Sequence, residues 1–80
     1  MLYIRSHVKF SDGKLYWTGN VRCRTMEVAE RDALHRITSY GAVAVVVSKP
    51  DGLGLWGYHK RRDILRFELE NGSIKRIPLV

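Results

Sequence analysis

Along the first ten residues Leu2, Ile4, Val8 and Phe10 alternate with Tyr3, Arg5, His7 and Lys9, the two-residue period of a strand with one covered face. Ser11-Asp12-Gly13 then reads as a turn, with Gly13 free to take positive φ. Alternation resumes from Lys14 to Arg24. Leu15, Trp17, Val21 and Cys23 fall on one side, and Tyr16, Thr18, Asn20, Arg22 and Arg24 on the other. Gly19 marks a bulge or bend inside this run. The two runs together predict a β-hairpin.

The period then changes. Met26, Ala29, Ala33, Ile37 and Tyr40 form an apolar stripe at helical spacing, flanked by Leu34, while Arg31, Asp32, His35 and Ser39 lie opposite. Thr25 suits the N-cap, Glu27 and Glu30 suit the positive end of the helix dipole, and Gly41 supplies a C-terminal stop. One helix is predicted, packing a single face onto a sheet.

Ala42 to Lys49 is almost continuously apolar and β-branched, the pattern of a central strand covered on both sides. Pro50-Asp51-Gly52 reads as a turn, Leu53 to Lys60 as a weak hairpin partner, and Arg61-Arg62-Asp63 as a corner. Leu65, Phe67 and Leu69 then alternate with Arg66, Glu68 and Glu70. Asn71-Gly72 is a two-residue hairpin signal, and Ser73 to Val80 a last strand that Pro78 confines to an edge. The order is ββαβββ. This predicts an α+β fold: a mostly antiparallel sheet of four to five strands with one helix packed on one face.

Eighty residues are too few to divide into two cores, so residues 1–80 are expected to form one domain. With 45% apolar and 28% charged residues the composition is that of a folded protein. The longest apolar run, Ala42 to Val47, is far too short to span a bilayer. Met1 leads directly into Leu2-Tyr3-Ile4 with none of the regions of a signal peptide, so a cytoplasmic protein complete at its N-terminus is expected. Cys23 is the only cysteine, so no internal disulfide is possible and no cysteine-based zinc site is suggested.

The net charge of +6 changes the picture more. It favours nucleic acid, an acidic protein or another anionic surface as partner. The cations belong to the strand segments, and the helical segment is slightly acidic. Two stretches carry the candidate chemistry. In the first hairpin Tyr3, Arg5, Lys9, Tyr16, Arg22 and Arg24 are expected on the face away from the helix. Cations there would fix phosphates and rings would stack on bases, as single-stranded nucleic acid requires. The second is the tract Trp56, Tyr58, His59, Lys60, Arg61 and Arg62. There glycine beside tryptophan opens the backbone to close approach, and consecutive cations can neutralise phosphates or acidic side chains. Both stretches also have plain readings: a solvated sheet face, and a tryptophan completing the core beside a solvated corner.

Catalysis finds little support. Cys23 aligns with Val21 and Trp17 as a buried thiol, His35 lies on the solvated side of the helix, and the histidines have no metal-ligand spacing. Gly52-Leu53-Gly54 lacks the helix and the Lys-Ser/Thr pair of a phosphate loop. No catalytic residue, cofactor, metal or small-molecule substrate is indicated. In size, charge and lack of enzymatic motifs the chain resembles small α+β proteins encoded by phages and mobile elements, anti-CRISPR inhibitors among them. That resemblance covers no defined motif and transfers no residue; it implies an inhibitor of a larger host complex. The residues themselves predict a non-enzymatic basic module that binds nucleic acid or a nucleoprotein. A protein-interaction module is the alternative, and a homodimer through a strand edge or the Ile77-Pro78-Leu79-Val80 tail is a third reading.

Overall fold

A computed structural model describes residues 1–53 and 59–79 of the chain. Their elements are β1 (Leu2–Lys9), β2 (Leu15–Trp17), β3 (Val21–Cys23), α1 (Met26–Ser39), β4 (Ala42–Leu53), β5 (His59–Glu70) and β6 (Ser73–Pro78). The fold is α+β, a single antiparallel sheet with one helix packed against it. The strands run in the order β2-β1-β4-β5-β6, with β3 beside β2 on the same edge of β1. β2 and β3 are two pieces of one interrupted edge strand, so the chain follows the expected ββαβββ order.

β4 lies at the centre, between β1 and β5. Val45 and Val47 point to the helix and are fully buried there, together with Ile4 of β1 and Leu65 and Phe67 of β5. From above, α1 contributes Ala29, Ala33 and Ile37. Two alanines let the helix backbone come close to the sheet, and Ile37 is the one large buried side chain it inserts. Thr25 caps the helix in extended geometry, its hydroxyl accepting from the Val28 amide at 3.2 Å. At the other end Gly41, at φ +71°, turns the chain into β4.

Three expectations need correction. Tyr40, assigned to the apolar stripe, lies past the last helical residue and is 68% exposed, its ring edge-on to His35. Phe10, assigned to the covered face, follows β1 and is 52% exposed, stacked on Tyr16. Pro50-Asp51-Gly52 is no turn: β4 continues through it to Leu53, and the supposed corner Arg61-Arg62-Asp63 lies inside β5. The cause is a bulge. Pro50 pairs with Arg61 and Leu53 with His59, which leaves one extra residue on β4, and Gly52 absorbs it at φ +81°. Pro50 is tolerated because the ladder to β1 ends at Tyr3–Ser48, so β4 has no partner on that side at Pro50. Asn71-Gly72 makes the tight β5–β6 turn, both residues at positive φ.

Candidate nucleic-acid interface

The candidate site is the sheet face opposite the helix. Alternation along β1 turns Tyr3, Arg5, His7 and Lys9 to this face. Cross-strand pairing sets Arg22 of β3 beside Tyr3 and Trp17 of β2 beside His7. On the far side, Arg66 and Glu68 of β5 stand across Val46 and Ala44, and Asp63 stands across Ser48. Arg61 follows by alternation, and its guanidinium lies 4.5 Å from the centre of the Tyr3 ring.

The face is tied together internally. Arg5 holds Asp63 in a two-pronged ion pair, Nη1 to Oδ1 and Nη2 to Oδ2 both at 2.9 Å. That guanidinium, by hydrogen bonding first and charge second, keeps the Asp63 carboxyl below the usual carboxylate range. Trp17 stacks on His7 with ring centres 4.5 Å apart, and Arg5 and Arg66 sit 5.2 and 5.8 Å from its ring. Three strand spacings of about 4.8 Å separate β2 from β5, so the Trp17 and Arg66 side chains lean toward each other across the sheet. Ala44, the small partner of His7 on β4, leaves the floor low beneath them. Arg66 also donates to Glu68, and Lys75 of β6 pairs with Glu70.

The cations on this face are Arg5, Lys9, Arg22, Arg61, Arg66 and Lys75, against the carboxylates Asp63, Glu68 and Glu70. Among the described residues Lys9, Arg22 and Arg61 have no carboxylate partner. They therefore remain available to phosphate, with Tyr3 between Arg22 and Arg61 as a ring at the same place.

Of the residues singled out from sequence, Tyr3, Arg5, Lys9, Arg22 and Arg61 converge here. Tyr16 does not. It stands opposite Val8, on the other side of the sheet, with its hydroxyl donating to Asp12 at 2.6 Å. Trp17 takes its place. The reason is a one-residue bulge: Trp17 pairs with His7 and Val21 with Ile4, so one residue of the edge strand is left over between them, and the faces exchange. Alternation also turns Lys60 and Arg62 away from Arg61, both exposed on the opposite side. Arg24 is exposed between β3 and the helix. Trp56 and Tyr58 lie outside the described residues, and of His59 the backbone pairing with Leu53 alone is described.

No catalytic constellation emerges among the described residues. Cys23 is buried, and burial pushes its thiol up, with Asp32 adding to the rise and Arg36 opposing it. No group of three His, Cys, Asp or Glu side chains among the described residues is placed to hold a metal ion, and no described helix is long and apolar enough to cross a membrane. Sequence reasoning passed over two residues on the helix side, Ser6 and Arg36, which are bonded to each other. Both interrupt an apolar pattern: Ser6 stands between Ile4 and Val8, and Arg36 falls three residues after Ala33 on the packed side of the helix. A polar residue at a core-facing position in each of two packed elements was the signal. No family model, curated protein or solved structure matches this chain.

Proposed function

We propose that the chain is a non-enzymatic module that binds single-stranded nucleic acid, free or within a nucleoprotein, on the open face of its sheet. The observation that carries this reading is the group Arg22, Tyr3 and Arg61, drawn from three strands: two cations without carboxylate partners on either side of an aromatic ring. Cations track a phosphate backbone, and a ring beside them takes a base. Arg5, Trp17 and Arg66 form the neighbouring floor, already ordered by their own contacts, so little side-chain freedom is lost on binding.

Fluorescence anisotropy with labelled single-stranded RNA, single-stranded DNA and duplex DNA, each at low and near-physiological salt, tests the reading. Single strands should bind best. Arg61→Ala should weaken binding about tenfold and reduce the slope of log affinity against log salt by about 1, as loss of one phosphate contact requires. Equal loss of all three ligands as salt rises, with no change for Arg61→Ala, would sink it.

A second reading has its own observation. Leu15, Trp17 and Val21 leave large apolar surfaces exposed along the interrupted edge, with Phe10 and Tyr16 at its end. Exposed rings and aliphatic groups on an edge strand suit a protein partner, including the inhibitor role. A stoichiometric partner that survives nuclease treatment of a lysate distinguishes this reading from the first.

A further inference from the structure

The helix does not cover the whole of its side of the sheet. Where the edge strand bulges away from β1 between Trp17 and Val21, and the helix ends at Ser39, an open cleft of about 500 Å³ remains. Its apolar walls are Val8, Val21, Ala42 and the ring of Tyr40, and its polar groups include Arg36 and Asn20. A volume of this order suits a small molecule.

Arg36 gives the cleft its chemistry. Its Nη1 donates to Ser6 Oγ at 2.7 Å, and Ser6 is buried in the sheet, so the guanidinium is pinned over β1. Arg5, Arg66, Lys75 and Arg76 each have a carboxylate. Among the described residues Arg36 has none, although Asp32 stands one helical turn earlier. Among the described residues it is thus a partly buried cation with one serine hydroxyl as its hydrogen-bond partner and four further N–H donors to satisfy. The nearby Thr18 hydroxyl is already engaged by the Ser6 amide and the Gly19 carbonyl. The negative end of the helix dipole favours a cation at this position, but among the described residues none of the helix's terminal carbonyls accepts from the Arg36 guanidinium.

We propose that this cleft binds a small amphipathic carboxylate, its head on Arg36 and its apolar body against Val8, Val21, Ala42 and Tyr40. A carboxylate matches one guanidinium with two parallel hydrogen bonds and a single charge. A phosphate monoester carries up to two charges and calls for more cations than one arginine supplies, in walls that are mostly apolar. The site lies on the opposite side of the sheet from the proposed nucleic-acid face and is independent of it.

Amide NMR titration of the full chain with 3-phenylpropionate, 3-phenylpropionamide and phenethyl phosphate tests this. The acid should saturate in the millimolar range or below, shifting the Arg36 Nε–H and the amides of Ser6, Thr18 to Val21 and Tyr40. The amide should bind at least tenfold more weakly, and so should the acid to Arg36→Gln. Equal binding of acid and amide would reduce the site to an apolar cleft and overturn the proposal. So would shifts elsewhere, or none at 20 mM acid. Tighter binding of the phosphate would overturn the carboxylate assignment. The comparison of acid with amide uses the unaltered protein and stands even if Arg36→Gln does not fold.

Discussion

At the scale of single residues, Asp63 and Ser48 are cross-strand partners with opposite consequences. Asp63 accepts two hydrogen bonds from Arg5, which depress its carboxyl in the folded state below its ordinary value. A depressed carboxylate stabilises the fold at pH values above its unfolded pKa of about 3.9, and that contribution is lost as pH falls through the folded value. Asp12 adds a contribution of the same sign, its carboxyl lowered by the Tyr16 hydroxyl and the Lys14 amide. Asp63→Asn should therefore cost less than about 1 kcal/mol at pH 7, the pair being partly exposed. Wild type and variant should converge near pH 2. Urea melts at pH 7, 4 and 2 check this, and a constant gap at all three would refute it. Ser48 is fully buried, and among the described residues its hydroxyl has no hydrogen-bond partner. An unmet hydroxyl costs on the order of 1–3 kcal/mol, so Ser48→Ala should raise the urea midpoint, and a lowered midpoint would mean the hydroxyl is satisfied.

At the scale of elements, what was legible is what depends on local pattern. The helix can be read to within a residue, because a cap at Thr25, a 3.6-residue period and a glycine at 41 are all local signals. Removing that cap with Thr25→Ala should cost about 1 kcal/mol, read as a lower melting midpoint with the far-ultraviolet helix signal retained below the transition. The β5–β6 hairpin was equally legible from Asn71-Gly72. What failed were strands crossing a bulge. A bulge at Gly19 could be foreseen, but one extra residue also exchanges the faces beyond it, so Tyr16 and Trp17 traded places. At Pro50-Asp51-Gly52 the same residues suit a turn or a bulge, and the choice falls to the β5 ladder, a tertiary contact that no window of ten residues contains. The site was half legible for the same reason. Tyr3, Arg5, Lys9 and Arg22 follow from alternation, whereas Trp17 joins them through the bulge, and Arg61 and Arg66 through strand order.

At the scale of the whole molecule, one sheet serves two unlike faces, and their stability is unequally distributed. The open face is held by partly exposed ion pairs and ring contacts, each worth at most about 1 kcal/mol. The covered side holds the apolar core, with Ile4, Val45, Val47, Leu65 and Phe67 beneath a helix whose one large buried anchor is Ile37. Total stability for a domain of this size is on the order of 3–5 kcal/mol. Ile37→Ala leaves a cavity between helix and sheet and should cost about 2–4 kcal/mol, most of that total. Leu69 alternates with the same face but sits half exposed at the far end of β5, where Leu69→Ala should cost less than about 1 kcal/mol. Urea denaturation of each variant in a Trp56→Phe background, which leaves Trp17 as the single tryptophan, compares the two by tryptophan fluorescence and by circular dichroism. Trp17 sits on the open face and the helix on the other, so the probes report opposite sides of the sheet. In Ile37→Ala both should show one coincident, strongly lowered transition, because the open face has too little energy of its own to persist once the helix detaches. A helix signal lost well before the Trp17 signal would show instead that the sheet stands without its helix, and the ion-paired face would then hold more of the stability than its exposure allows.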